Sequence, residues 1–355
     1  MKTPSTVAEL AEIIRSSKQV LAVGARTKPG LSQVDATLVS TCGLSGIVEY
    51  DSSEFTFTAQ AGTPLREIIA TLAERGQYLP FDPPLANAGA TIGGTVAAGL
   101  SGPGRFRYGG LRDFILAVRF LDGNGTHMRG GAKVVKNAAG FDIPKFFVGS
   151  LGRFGVLTEV TFKVFPCPPA QMTFAIPCAG AAEAVAHISK AASGRWEFDA
   201  LDYDGTRILA RIRGPFAALE PIAADIVRHW PAAERVGDDV WRGINDLAFA
   251  KDARFLTRVP MTLVRLPDLE AALRRIGADF HVSGGGSSAY IFSNESAVSV
   301  ETVLVELGLR GISLVGQNFG VASEQQSVAE IEKSLKAAFD SVRKFPAEYG
   351  CFVGR

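Results

Sequence analysis

The stretch Asn87-Ala-Gly-Ala-Thr-Ile-Gly-Gly-Thr-Val-Ala-Ala-Gly-Leu-Ser-Gly102 runs for sixteen residues with hardly a bulky side chain. A structural turn needs only one or two glycines, so this density favours a backbone that approaches a ligand closely. Consecutive exposed N–H groups form concave anion sites that can hold a pyrophosphate. We therefore interpret the stretch as a phosphate-binding loop.

A second glycine loop, Val23-Gly-Ala-Arg-Thr-Lys-Pro-Gly30, follows the apolar run 19–23, which is typical of a short buried strand. Arg26 and Lys28 can add positive charge at its mouth. For this loop alone, a tight turn and a phosphate site are equally plausible. The chain has neither G-x-x-x-x-G-K-[ST] nor a G-x-G-x-x-G between a strand and a helix. We therefore expect a ligand that is bound without a Rossmann turn.

The first eighty residues have the pattern helix, strand, strand, helix. A capping box at 6–9 predicts the first helix, and the strands are predicted at 19–23 and 55–60. Thr63-Pro64 predicts a helix with proline at its first position, closed by Gly76. From residue 80 to 110 regular periodicity disappears, so this part is expected to be loop.

Beyond the loops, the patterns predict a hairpin of strands 114–121 and 126–129 and a long strand at 156–164. Pro166-Cys-Pro-Pro169 then marks a domain boundary. Helical segments at 181–192, 221–230 and 269–276 alternate with strands such as 208–213, and a closing amphipathic helix is expected at 327–344. Gly284-Gly-Gly-Ser-Ser288 is interpreted as a hairpin turn, because no helix is predicted after it.

Composition excludes several classes of function. The 37 basic and 36 acidic residues give no overall field for nucleic acid. No run of about 18 apolar residues predicts a membrane span, and the N-terminus lacks a secretory signal. The four cysteines form no CxxC pair, which argues against zinc, iron–sulfur ligation or a disulfide framework. A cytoplasmic protein is the default expectation, with membrane association only through partners.

Eight sequence blocks in a fixed order resemble the FAD domain of the vanillyl-alcohol-oxidase superfamily, the PCMH-type flavin fold. Besides the two loops they include Ile47–Asp51, Thr58–Leu65, Phe81–Pro83, Tyr108–Asp113, Lys133–Asp142 and Phe147–Glu159. Within that superfamily, residues 99–114 are similar to the smaller FAD-binding subunits of bacterial glycolate oxidases. The resemblance weakens after Pro169, and the Asn-Pro-Gly that usually follows the closing helix is replaced by residues 341–346.

The resemblance implies an α+β fold: a two-part PCMH-type FAD-binding domain at 1–168, with a break near 50–60, and a smaller ferredoxin-like α+β cap domain at 169–326. The helix at 327–355 would return to the FAD domain. It also implies a set of cofactor-binding residues. These are Gly24, Ala25, Arg26, Thr27, Lys28, Asp82, Pro83, Ala90, Thr91, Gly93, Gly94, Thr95, Ala97, Ala98, Ser101, Gly102, Tyr108, Asp113, Asn137, Gly140, Asp142, Gly149, Gly155 and Val156. Because neither glycine loop contains His or Cys, we expect the FAD to be non-covalent, and we expect no metal.

The function implied is oxidation of glycolate or another 2-hydroxy acid, within a complex. The expected partners are a larger FAD-containing catalytic subunit and an iron–sulfur subunit. Catalytic relatives carry a histidine cluster, whereas His127, His187, His229 and His281 are scattered here. The candidates that remain are Arg258, which resembles a position in the glycolate oxidase subunits, and Tyr203. A non-catalytic FAD-binding or electron-relay subunit and the FAD subunit of a molybdenum hydroxylase remain open alternatives.

Overall fold

A computed structural model of the chain describes residues 1–132, 141–317 and 326–346. The first part of the chain contains a series of short helices and strands. In chain order they are α1 (Val7–Ser16), β1 (Val20–Val23), β2 (Thr37–Ser40), β3 (Ile47–Asp51), β4 (Thr56–Gln60), α2 (Leu65–Ala73), β5 (Gln77–Tyr78), α3 (Ile92–Ala98), α4 (Arg105–Tyr108), β6 (Ile115–Leu121), β7 (His127–Gly131), α5 (Ile143–Phe147), β8 (Val156–Lys163) and β9 (Phe165–Pro166).

Two sheets organise this first part. Strands β1 and β2 form a parallel pair, and an antiparallel sheet of five strands has the order β3-β4-β8-β6-β7. Helix α2 buries Leu65, Ile68 and Leu72 against the larger sheet. Each such side chain contributes roughly 1.5–3 kcal/mol of hydrophobic stabilisation. The fold thus presents the turn after β1 next to the segment after α2.

The second part of the chain is built on an antiparallel sheet of eight strands in the order β13-β10-β12-β11-β15-β16-β14-β17. Helices lie between its strands in chain order. The elements are β10 (Ala170–Pro177), α6 (Ala181–Ser193), β11 (Ala200–Tyr203), β12 (Arg207–Gly214), α7 (Phe216–His229), β13 (Glu234–Val236), α8 (Val240–Asn245), β14 (Phe255–Pro260), α9 (Leu266–Arg275), β15 (Asp279–Ser283), β16 (Ser288–Ser293), α10 (Ala297–Glu306), β17 (Ile312–Val315) and α11 (Gln326–Phe339).

The eight-stranded sheet has two different faces. Val259 and Ile291 point into the core that its own helices cover, whereas Leu256 and Tyr290 belong to the core of the first part. Side chains alternate between faces along a strand, so β14 and β16 each contribute to both cores. One face of the second domain is therefore packed against the first.

The segment 80–110, expected to be loop, contains helices α3 and α4, so that expectation is wrong. Thr91 caps α3 by accepting a hydrogen bond from the Gly94 amide, and Gly99 ends it with φ +64. Ile92 and Val96 are fully buried. The other residues of the helix hide its period in the sequence, because two glycines, a threonine and two alanines carry almost no hydrophobic pattern.

Smaller corrections concern helix and strand limits. Strands β2 and β3 were not expected among the first eighty residues; both are short, and neither alternates between buried and exposed residues. Pro64 is the residue before α2 rather than its first residue. Helix α11 ends at Phe339 and not at residue 344, because Asp340 accepts hydrogen bonds from the amides of Lys344 and Phe345.

Helix α11 lies against the first part of the chain. The Phe339 ring is 4.9 Å from Phe146 and 6.1 Å from Phe120, measured between centroids. Lys336 donates a hydrogen bond to the carbonyl of Arg153. No helix within the described ranges has the length and apolar character that crossing a membrane demands.

Candidate cofactor site

The two glycine loops come together in one continuous groove. The empty space of the groove, including the part open to solvent, is about 510 Å³ around the first loop and about 350 Å³ in the part towards β8. The two parts share residues from β1, the turn after it and α3. The whole groove is lined by Ala22, Val23, Gly24, Ala25, Arg26, Thr27, Lys28, Leu31, Ser32, Thr41, Ala61, Thr91, Gly93, Gly94, Ala97, Ala98, Ser150, Leu151, Gly152, Gly155 and Leu157.

Contact between the two loops requires glycine at defined places. A Cβ atom on Gly24 would stand 2.2 Å from Oγ1 of Thr91. A Cβ atom on Gly93 would stand 2.6 Å from the Cβ of Ala61. Such distances are far below van der Waals contact, so a side chain at Gly24 would push the two loops apart, and one at Gly93 would push α3 away from Ala61. Packing at the groove therefore requires glycine at these two positions.

The first loop presents free backbone donors. Arg26 has φ +56, and the amide N–H groups of Ala25, Arg26 and Thr27 donate to no acceptor within the described residues. Unpaired amides on a turn that lines a groove form the concave arrangement that binds anions. Ser150 adds a buried hydroxyl without a hydrogen-bond partner among the described residues, on the opposite wall. A polar ligand would satisfy both.

A family model described as an FAD binding domain matches residues 1–131 of the chain. The first third of this chain is an FAD-binding domain. The groove lies largely within the matched segment, and the predicted cofactor, FAD, is confirmed. The groove lining named above contains neither His nor Cys.

Curated relatives match the FAD-binding domain over part of their length. Glycolate oxidase subunit GlcE of Escherichia coli strain K12 is 49% identical over 128 residues, which is 36% of this chain and 37% of the relative. Glycolate oxidase subunit GlcD of Bacillus subtilis strain 168 is 32% identical over 130 residues, 37% of this chain and 27% of the relative. D-lactate dehydrogenase of Anaerostipes hadrus is 31% identical over 140 residues, 39% of this chain and 29% of the relative.

The fold of the whole chain also has a solved counterpart. An alkyldihydroxyacetonephosphate synthase superposes with a TM-score of 0.71 at 16% identity, covering 97% of this chain and 74% of that one. At this identity the likeness concerns the fold. The predicted α+β class, a PCMH-type FAD-binding domain plus a second α+β domain, is confirmed. The exact domain bounds remain a prediction.

The groove collects eleven of the predicted cofactor residues. They are Gly24, Ala25, Arg26, Thr27, Lys28, Thr91, Gly93, Gly94, Ala97, Ala98 and Gly155. Two further predicted residues hold the wall of the groove in place. The Thr95 hydroxyl donates to the carbonyl of Thr91, and the Gly149 amide donates to the carbonyl of Val96. Ala90, Val156 and Pro83 are buried. Asn137 and Gly140 lie outside the described residues, so their role stays a prediction.

Several predicted residues lie elsewhere in the FAD-binding domain. Ser101 accepts a hydrogen bond from the Leu111 amide, and Asp113 accepts one from Gly110. Tyr108 packs edge-on against Phe165. Asp142 caps α5 and pairs with Lys145. Asp82 and Gly102 belong to the boundary with the second domain, described below.

Sequence reasoning missed part of the groove lining. Ser150, Leu151 and Gly152 form one wall, and Leu151 has φ +54. They follow directly after Gly149, within a block that was recognised, so the block order contained a signal for them. Ala61 likewise lies in a recognised block, Thr58–Leu65, whereas Thr41 gave no signal, because a buried threonine looks the same with or without a ligand.

Lys28 is the titratable group at the mouth of the groove. Its Nζ donates to Oγ1 of Thr27 at 3.1 Å, and burial lowers the pKa of its ammonium to about 8. A pyrophosphate beside it would favour the charged form and raise that pKa again. Binding of FAD is then coupled to uptake of a proton whenever the pH lies above about 8.

We therefore predict that FAD affinity depends on pH through Lys28. Below pH 8 the ammonium is charged before binding and the affinity is constant. Above pH 8 the dissociation constant should rise by up to about tenfold per pH unit, because each binding event must take up a proton. Fluorescence titration of the FAD-free chain from pH 6.5 to 9.5 measures this. Lys28→Met should bind more weakly at pH 7 and show a flat profile; an unchanged slope would contradict the assignment.

The two catalytic candidates occupy different surroundings. Tyr203 is fully buried in the core of the second domain, where its hydroxyl donates to the carbonyl of Gly205 at 2.9 Å and lies 3.4 Å from Glu270. Arg258 lies on β14, on the face towards the FAD-binding domain. Its Nη2 donates to Ser288 at 3.2 Å, and its Nε is buried without a partner in the described part of the chain.

A second arginine, not predicted from the sequence, lies near Arg258 at the hairpin turn between β15 and β16: a Cβ on Gly284 would meet Cγ of Arg105 at 2.9 Å, and Arg258 bonds Ser288 at the other end of the same turn. Burial and then the charge of Arg258 lower the pKa of Arg105. Neither guanidinium has a carboxylate within ion-pair distance among the described residues. A Cβ on Gly110 would lie 3.9 Å from Nη2 of Arg105 and 3.2 Å from Oγ of Ser101. Two unpaired, partly buried cations next to each other favour an anion between them.

Tyr290 completes this cluster, which we call the arginine pair with Tyr290. It lies directly opposite Arg258 on β14 and His281 on β15, so the three share one face of the sheet. Tyr290 is 3% exposed, and its hydroxyl bonds no group in the described ranges. Burial raises the pKa of its phenol. The phenol therefore stays protonated and can donate a hydrogen bond.

Each histidine has a bonded partner. His127 shares a hydrogen bond with Thr158, His187 accepts one from Trp230, and His229 donates to the carbonyl of Asp225. Nε2 of His281 is 2.9 Å from Asp202. Among the described residues, no group of three or more His, Cys, Asp or Glu side chains is arranged to hold a metal ion.

Proposed function

We propose that this chain is the FAD-binding subunit of a complex that oxidises glycolate or another small 2-hydroxy acid. The observation that carries the proposal is the arginine pair with Tyr290, at the boundary between the FAD-binding domain and the second domain. It is supported by the similarity of the first third of the chain to glycolate oxidase subunits.

The site fits a short anion with a carboxylate. Arg105 and Arg258 can bind a carboxylate with charge-assisted hydrogen bonds, and neutral Tyr290 can donate to another oxygen of the same molecule. Nη2 of Arg105 and Oγ of Ser101 both lie within 4 Å of the place that a Cβ on Gly110 would occupy. Bound FAD would be the oxidant. Breaking the C–H bond at the alcohol carbon and the O–H bond of its hydroxyl would remove two electrons and two protons from the substrate, and FAD would accept the two electrons. The residues of the chain orient the acid for that step.

The proposed partners are those that the sequence resemblance implies. A chain of this kind would pass electrons to a larger FAD-containing subunit and to an iron–sulfur subunit. A second candidate is a subunit that binds FAD and relays electrons without oxidising substrate itself. It is supported by the four histidines, each of which is already bonded to a neighbouring group.

Anaerobic flavin reduction separates these candidates. Glycolate or D-lactate is added to the FAD-loaded chain, and absorbance is followed at the flavin band. Bleaching of the chain alone supports substrate oxidation at this site. Bleaching only when its copurified partner chains are present supports the relay. If NADH bleaches the flavin and neither acid does so in either setting, the proposal fails and a molybdenum-hydroxylase type of subunit is favoured.

A further inference from the structure

A buried ion cluster joins the two domains. It contains Asp82 of the FAD-binding domain and Asp199, Arg211 and Arg213 of the second domain. Nη2 of Arg211 lies 2.6 Å from Oδ2 of Asp82, and its Nε lies 2.7 Å from Oδ1 of Asp199. Nη1 of Arg213 lies 3.8 Å from Oδ1 of Asp82, and its Nε lies 3.3 Å from Oδ2 of Asp199. Arg211 and Asp199 are each 1% exposed, so water does not screen this cluster.

Arg211 is fixed by its surroundings. Its guanidinium lies 4.7 Å above the ring of Trp241, and the backbone pairs Ala200 of β11 with Arg211 of β12. Burial acts to lower the pKa of Arg211, but the charges of Asp82 and Asp199 outweigh it and raise the pKa. The group is therefore a permanent cation held rigidly by the sheet of the second domain.

Asp82 transmits this fixed position to the FAD-binding domain. Its Oδ2 accepts hydrogen bonds both from Arg211 and, at 3.0 Å, from the amide of Gly104. The Gly102 amide donates to the carbonyl of Phe81 at 2.8 Å. A Cβ on Gly104 would stand 2.1 Å from the carbonyl oxygen of Pro80. The segments 80–82 and 102–104 are thus pressed together backbone to backbone.

Arg105 follows directly on this clamped segment. Its amide donates to the carbonyl of Gly102 at 3.2 Å and begins helix α4. We propose that Arg211 and Asp82 are positioning residues: they hold 102–105 so that Arg105 stands beside Arg258. The role of Arg105 towards a carboxylate rests on the function proposed above, whereas the clamp itself does not.

Asp199 provides a matched control for Asp82. Both are buried carboxylates bonded to the same guanidinium, and both approach Arg213. Only Asp82 touches the segment 102–105; in the described structure the Asp199 carboxylate accepts a hydrogen bond from Arg211 and lies 3.3 Å from Nε of Arg213, both in the second domain. Loss of either leaves Arg211 with one carboxylate. Asp82 also has φ +46, a conformation that aspartate tolerates better than alanine, so the two variants are compared after correction for their stability. Loss of positioning should occur only in Asp82→Ala.

Hydrogen–deuterium exchange of the full-length chain tests the clamp. Each variant is measured at the same number of degrees below its own melting temperature. The amides of 101–109 should then exchange about tenfold faster or more in Asp82→Ala than in Asp199→Ala. Asp82→Asn keeps an acceptor for Gly104 and should restore most of the protection. Should Asp82→Ala fail to fold, Asp82→Asn and Asp199→Asn are compared instead, with a smaller difference in the same direction. Equal exchange in the matched variants would overturn the proposal.

Oxalate, a carboxylate that cannot be oxidised at a hydroxyl carbon, provides the second measurement. Its dissociation constant is read from the change it causes in the flavin spectrum of the FAD-loaded chain. We expect Asp82→Ala to weaken oxalate about tenfold more than Asp199→Ala does. If oxalate leaves the spectrum of the unmodified chain unchanged, the carboxylate site of the proposed function fails, and the exchange data alone judge the clamp.

Discussion

Replacing Gly24 by valine is expected to weaken FAD binding by about 100-fold or more. The first Cβ atom already meets Oγ1 of Thr91 at 2.2 Å, and the two further methyl carbons of valine would enter the groove. Overpacking at such contacts costs roughly 1–3 kcal/mol before any lost ligand contact is added. Each 1.4 kcal/mol is tenfold in affinity. Equilibrium titration of the FAD-free variant measures the loss.

Gly243→Ala is the matched control for this change. Gly243 lies in helix α8, and the nearest atom to an added Cβ, on Ala248, would be 3.9 Å away. This variant should bind FAD like the unmodified chain. Gly24→Val should also keep the circular dichroism spectrum of the unmodified chain, because Gly24 lies in the turn after β1 and outside the helices and strands. Normal FAD affinity in Gly24→Val would show that the groove is not the cofactor site.

Arg105→Met and Arg258→Met should each weaken binding of a 2-hydroxy acid or of oxalate by roughly 10- to 150-fold. A charge-assisted hydrogen bond contributes about 1.5–3 kcal/mol, which corresponds to that range. Methionine retains much of the side-chain volume without the charge, so packing should change little. FAD affinity should change by less than about threefold, because neither residue is part of the groove wall.

Arg107→Met separates a local charge effect from loss of a specific contact. Arg107 lies on the same helix as Arg105, but its guanidinium bonds Glu197, with an Nη2–Oε2 distance of 3.0 Å. This variant should bind the acid normally. If Arg107→Met weakens binding as much as Arg105→Met, the effect is a general loss of positive potential, and the arginine pair with Tyr290 is not the binding site.

The sequence could predict the two glycine loops as a candidate site because their chemistry is local. Gly24 to Lys28 and Thr91 to Ala98 carry the glycines, hydroxyls and charges of the site within short stretches, and the structure brings them into one groove. The small side chains of the second loop also kept helix α3 from being predicted. A helix of seven residues rich in glycine and alanine has no apolar stripe to detect, although Thr91 and Gly99 are ordinary caps.

The arginine pair with Tyr290 could not be found in the same way. Arg105, Arg258 and Tyr290 are separated by up to 185 residues and meet only because β14 and β16 pair in register against the FAD-binding domain. Asp82 shows the converse: a landmark of the flavin fold proves to be bonded to Arg211, 129 residues away. Such pairings depend on strand order and on domain packing, which local patterns do not encode.

The most direct test of FAD binding by the first-half groove is a measurement of flavin content. The full-length chain is saturated with FAD, freed of excess cofactor by gel filtration, and denatured with acid. We predict about one FAD per chain, released intact and completely from the polypeptide, and its loss in Gly24→Val. A chain that retains no flavin, or flavin that stays attached to the denatured polypeptide, would contradict a non-covalent FAD site in this groove.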